Sequence, residues 1–185
     1  MFRKIFLPVA FCAMIFASVA GFAGEAFALS NSADAFMSLP FGHTYARTQK
    51  RMENSGAKVL TPRQDTLTME GFFEGFPARF VFGFYKKKIL KTKAAYIQSS
   101  GNANTDKNFY LALQRAYNAQ FGSGHETAMK NPRSDKKLIM RNIWTPDKYT
   151  TITLTFNPEV AGKRIIGNNF SDRPIQIIYK SDKWD

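Results

Sequence analysis

The side chains able to do acid–base chemistry are few. The sequence of 185 residues has two histidines, His43 and His125, with no Asp, Glu or His at ligand spacing from either beyond the adjoining Glu126. This excludes a recognisable metal cluster, and neither metal nor cofactor is expected. A general acid and base need only meet in space, so a small secreted hydrolase, nuclease- or glycan-cleaving, using His43 or His125 with a neighbouring Lys or Glu is the alternative enzymatic reading. Glu70 and Glu74 could pair as carboxylates, but a solvated strand face and a turn account for them more simply. No G-x-S-x-G elbow is present, and the sequon at Asn169 reads as chance.

The stronger signal is cationic. Lysines and arginines total 26 against 14 acidic residues. Lys86, Lys87 and Lys88 form one run, Lys91 and Lys93 follow at a spacing of two, and Arg79 and Tyr85 fall on one side of the preceding strand pattern. Together these seven residues are the candidate binding surface. A basic excess suits an anionic partner: a protein, a cell-envelope component, or a membrane surface touched peripherally. Aromatic and basic residues on a sheet can also hold single-stranded nucleic acid. A simpler reading of the lysines is that they keep an edge strand from pairing with other chains.

The elements that must position these residues begin after a secretory signal. Arg3 and Lys4 precede an apolar run from Ile5 to Ala20, and Ala26-Phe27-Ala28 offers a small-residue cleavage site, with Gly21-Phe22-Ala23 in competition. Residues 1–28 are expected to be removed and the product to be periplasmic or secreted, a compartment that counts against nucleic acid as a natural ligand. The sole cysteine, Cys12, lies in this segment, so the remaining chain has no thiol for a disulfide or a zinc site. Cleavage leaves 157 residues with 24 basic and 13 acidic side chains, a size that fits one domain.

In residues 29–185 the first few, Leu29 to Asp34, read as a frayed polar start. Thr44 is placed to N-cap a helix through about Asn54, with Gly56 as its stop. A polar linker containing Pro62 leads to a meander. Its first strand covers Thr66 to Phe73, with Gly71 as a bulge. A turn falls at Glu74-Gly75-Phe76-Pro77, because Pro77 has no N–H for a ladder. Phe80, Phe82 and Phe84 alternate toward a core in the second strand, and Ile89 to Gln98 form the third. A loop over Ser99 to Lys107 precedes a helix from about Asn108 to Gln120, its apolar stripe made by Tyr110, Leu113, Tyr117 and Phe121 with Phe109 and Ala116 beside it. After Gly122, a loop is expected from Ser123 to Lys136, then strands over Lys137 to Trp144, Tyr149 to Phe156 and Ile175 to Lys180. Pro146-Asp147 marks a turn.

The expected fold is α+β: two α-β-β-β units, about 36–98 and 106–181, with helices packed on one face of antiparallel sheet.

Several short phrases carry a resemblance. Leu39-Pro40-Phe41-Gly42-His43-Thr44 before a helix, Gly75-Phe76-Pro77-Ala78 in a meander, Tyr117 to Gly122, Trp144 before Thr151-Ile152-Thr153-Leu154, and Ile177-Ile178-Tyr179-Lys180-Ser181 resemble small exported bacterial proteins of β-lactamase-inhibitor-protein-like and BamE-like architecture. The resemblance implies helices over an antiparallel sheet and a non-enzymatic role in binding proteins. The chain lacks the lipid-attachment cysteine of the BamE lipoproteins, and no inhibitory loop transfers to it.

Overall fold

A computed structural model describes residues 32–63, 65–131, 134–163 and 172–183, with side chains except those of 130, 131 and 134–137. Residues 1–28, read above as a secretory signal, and the sequon at Asn169 lie outside the described residues.

The elements run α1 (Ala33–Met37), α2 (Tyr45–Asn54), β1 (Lys58–Pro62), β2 (Thr66–Phe73), β3 (Phe76–Tyr85), β4 (Ile89–Ile97), α3 (Ala103–Phe121), β5 (His125–Asn131), β6 (Ser134–Asp147), β7 (Thr150–Phe156) and β8 (Ile175–Ser181). All eight strands join one antiparallel sheet in the order β1-β2-β3-β4-β8-β7-β6-β5. The fold is α+β. Each of the longer helices is followed by four strands rather than the expected three, and the last strands of the two runs, β4 and β8, pair at the centre of the sheet. The additional strands are β1, read from sequence as linker, and β5, read as loop.

One face of the sheet carries the core. Leu67, Met69, Phe73, Phe80, Phe82, Leu90, Ile97, Leu154 and Ile177 are buried there against Phe36, Met52, Tyr110 and Tyr117 of the helices. The alternation of Phe80, Phe82 and Phe84 is the pattern that strand pleat imposes when one side is dry. Thr44 caps α2 by accepting the Arg47 amide at 3.4 Å, and Gly56 follows its end at φ +85°. Asn102 caps α3 through the amides of Asn104 and Thr105, so that helix begins about a turn earlier than its apolar stripe indicates. The Tyr117 and Tyr179 hydroxyls meet at 2.6 Å and tie α3 to β8.

Three further expectations change. The start of the domain is not frayed where described: Ser32, Ala33 and Phe36 are fully buried, and Ser32 donates its amide to the Phe72 carbonyl at 2.9 Å. Pro77 lies inside β3 and not in a turn, because its carbonyl accepts the Gln98 amide and the strand asks no N–H of it there. The later turn falls at Lys148 and Tyr149, where the Asp147 carboxylate accepts the amides of Tyr149 and Thr150, while Pro146 stays in β6.

Gly71 is not a bulge either, since β2 and β3 pair without a shift from Thr66 to Phe73. It is a point of close approach: a Cβ there would stand 3.0 Å from Ser32 Oγ and 3.3 Å from Phe80 Cε2. Gly71→Ala is therefore expected to loosen the seat of α1 at a cost of about 1 kcal/mol, net of the entropy a glycine spends on folding. Urea denaturation with an unchanged midpoint would contradict this.

Candidate functional site

The helices cover the inner face, and among the described residues no helix lies on the other. Antiparallel register places side chains in rows across that outer face. One row of eight runs Lys58, Glu70, Arg79, Tyr96, Gln176, Thr155, Arg141 and Thr127, one residue from each strand. The neighbouring row is more apolar: Thr68, Val81, Ala94, Ile178, Thr153, Ile143 and His125. Most of these side chains are half-buried by their neighbours. Between β1 and β3 the face dips into a hollow of about 510 Å³ lined by Leu60, Thr61, Arg63, Thr68, Arg79 and Val81.

The electrostatics of this face are lopsided. Among the described residues, the two rows and the one beside them contain the cations Lys58, Arg79, Arg141 and Lys180 and the acid Glu70, and Lys180 pairs with Asp182 at 2.6 Å. Arg79 and Arg141 are separated by four strand spacings, roughly 19 Å. Arg173, 2 % exposed, has its pKa lowered by burial and then by the charge of Arg79, with Asp172 opposing. Burial likewise raises the Tyr96 phenol.

The expected binding residues do not form one cluster. Tyr85, Lys86 and Lys91 meet at the β3–β4 corner, where the two ammonium groups lie 5.1 and 5.9 Å from the Tyr85 ring centre. Lys87 and Lys88 are exposed in the same turn, and Lys86 and Lys87 hold the left-handed conformation. Arg79 is six residues back along β3, roughly 20 Å away, in the middle of the sheet.

Lys93 must be taken out of the binding surface. A bulge between Gly83 and Phe84 pairs Phe84 with Leu90 and Gly83 with Thr92, so that Lys91 is the extra residue and the alternation of β4 reverses beyond it. Lys93 therefore points inward and is 2 % exposed. Its ammonium donates to the carbonyls of Phe36, Met37 and Leu39 at 2.7, 2.8 and 2.8 Å. The rings of Tyr179, Phe36 and Phe41 surround it at 4.5 to 5.8 Å. Nor does β4 need edge protection, since it lies between β3 and β8.

The two histidines do not share a site. His43 is fixed through its carbonyl to Leu90 of β4, whereas His125 opens β5 at the sheet edge, roughly 19 Å away across four strand spacings. His43 has its pKa lowered by burial, then by Arg51 and Arg47. His125 and Glu126 are consecutive in a strand and face opposite sides of it. Among the described residues no group of three His, Cys, Asp or Glu side chains is arranged to hold a metal ion. No helix among them is long and apolar enough to cross a membrane.

Tyr96, Gln176 and Arg141 were not among the residues singled out from sequence. Alternation assigns Arg141 to the outward side of its strand, but only the strand order brings it into the row of Arg79. No protein-family model matches the chain, and no curated protein is similar to it in sequence.

Proposed function

We propose that this is an exported, non-enzymatic binding module that holds an anionic partner, a protein or a cell-envelope component, on the outer face of its sheet. The observation that carries the reading is the cross-strand row containing Arg79 and Arg141, on a face that no described helix covers. Half-buried apolar side chains beside the row supply area, and the cations supply long-range attraction and orientation. The corner formed by Tyr85, Lys86, Lys87, Lys88 and Lys91 extends the same charge to one end of β3. The resemblance to exported proteins that bind other proteins agrees with this role.

The test separates a placed surface from mere net charge. The double variant Arg79→Glu/Arg141→Glu and a control of equal charge, Arg47→Glu/Lys50→Glu on α2, are compared for retention on an immobilised polyanion and on anionic against neutral vesicles. The outer-face variant is expected to weaken binding at least about tenfold at low salt, with the difference shrinking as salt rises, and the control to change it by less than threefold. Equal losses in the two variants would remove the outer face from the proposal.

A further inference from the structure

The two edges of the sheet are not alike. β1 is short, its pairing with β2 shifts between Val59 and Thr61, and it ends in Pro62, which has no N–H to offer. Such an edge resists pairing with another strand. β5 is longer and contains no proline; it pairs with β6 in unbroken register from His125 to Lys130, and the pairing shifts only at its end, between Lys130 and Asn131. His125, Glu126, Ala128 and Met129 are exposed, Met129 by 41 %. Its outer edge has no strand beside it among the described residues.

The order of residues in β5 is self-complementary. If two copies run antiparallel with Ala128 opposite Ala128, Glu126 stands opposite Lys130 twice, Thr127 opposite Met129 twice, and His125 opposite Asn131. Opposite charges directly across an antiparallel pair are favourable, and a two-fold axis doubles every such contact. Antiparallel continuation requires that axis to be normal to the sheet. Both helical layers then lie on one side, and the two outer faces adjoin. The exposed Met129 is partly covered by the other copy's Thr127.

We infer that the free edge of β5 is a homodimer interface, formed by antiparallel pairing of His125–Asn131 with the same strand of a second copy in the Ala128-centred register. This does not depend on the binding role proposed above.

Sedimentation velocity and light scattering of the purified protein over a concentration series test it, with far-UV circular dichroism to verify the fold. The wild type is expected to pass from monomer to dimer as concentration rises. Glu126→Lys and Lys130→Glu each set like charges opposite one another twice, and each should raise the dimer dissociation constant at least about tenfold. The double variant Glu126→Lys/Lys130→Glu restores opposite charges and should return to within about threefold of wild type. A wild type that stays monomeric at every concentration overturns the interface. So does a dimer indifferent to both single reversals, and failure of the double variant to recover overturns the register.

Discussion

Lys93→Met is expected to lower stability by about 3 kcal/mol, or roughly 10 °C in melting temperature for a domain of this size. Methionine keeps most of the aliphatic stem but withdraws the donor that the carbonyls of Phe36, Met37 and Leu39 share in a site closed to water. Those carbonyls lie at and just beyond the C-terminal end of α1, where a helix leaves acceptors unsatisfied and where positive charge is favourable. The same variant should release the segment around α1, so that limited proteolysis cuts between Ser32 and Phe41 well before the rest of the domain. The site also sets a pH dependence. Burial, reinforced by Arg51, pulls the Lys93 ammonium down to about 7 from an ordinary value of 10.5. The three carbonyls and three rings pull the other way, since a neutral amine has only two N–H groups for three acceptors. With the folded value below the unfolded one, the fold bears the full cost of the buried charge below about pH 7. Between pH 7 and 10.5 the native state gives up its proton first and stability rises. Denaturation midpoints measured from pH 7 to 9.5 should climb for the wild type and stay flatter for Lys93→Met. Parallel profiles would show that the ammonium stays charged throughout, and the interval stays below the range where the buried Tyr117 and Tyr179 hydroxyls, both raised by burial, would titrate.

Periodicity disclosed the parts of the fold that it could address. β2 and the inward set Phe80, Phe82 and Phe84 are plain in the sequence because one face is dry and the other is not. β5 is hidden for the opposite reason: it lies at an edge where His125, Glu126, Ala128 and Met129 are exposed on both faces, and burial prints no alternation on them. α1 is five residues long, too short for a helical period, and its buried Phe36 shows only as an isolated aromatic. Lys91 and Lys93 mislead because a spacing of two means one face only while the ladder is regular, and a bulge costs a single residue that composition does not mark. The candidate site was legible face by face but not across strands. Arg79 and Arg141 share a row because β4 meets β8, a pairing between residues about 80 apart in the chain that no local pattern encodes.

Asp106→Ala should be nearly as damaging as the loss of Lys93, at about 3 kcal/mol, by opening a different seam. The Asp106 carboxylate is 1 % exposed in the first turn of α3. It accepts the Ser99 hydroxyl at 2.5 Å, the Ser100 amide at 2.8 Å and the Gly162 amide at 2.8 Å. One side chain thus fastens the end of the β4–α3 connection, the start of α3 and the stretch that leaves β7. Gly162 can reach it only because it is glycine: its φ is +75°, and a Cβ would stand 2.8 Å from the Ala103 amide nitrogen. Alanine leaves the part-buried amides of Ser100 and Gly162 without this acceptor and removes a negative charge from the positive end of the helix. Asp106→Asn separates these effects. It keeps the shape and one carbonyl oxygen, but turns the other acceptor into a donor facing donors, so it should cost about 2 kcal/mol and never match the wild type. Hydrogen exchange supplies the local readout: the amides of Ser100 and Gly162 should lose protection in both variants before the amides of β2 and β3 do. A variant that melts with the wild type, or loses protection evenly throughout the sheet, would mean that the carboxylate is not what holds these segments together.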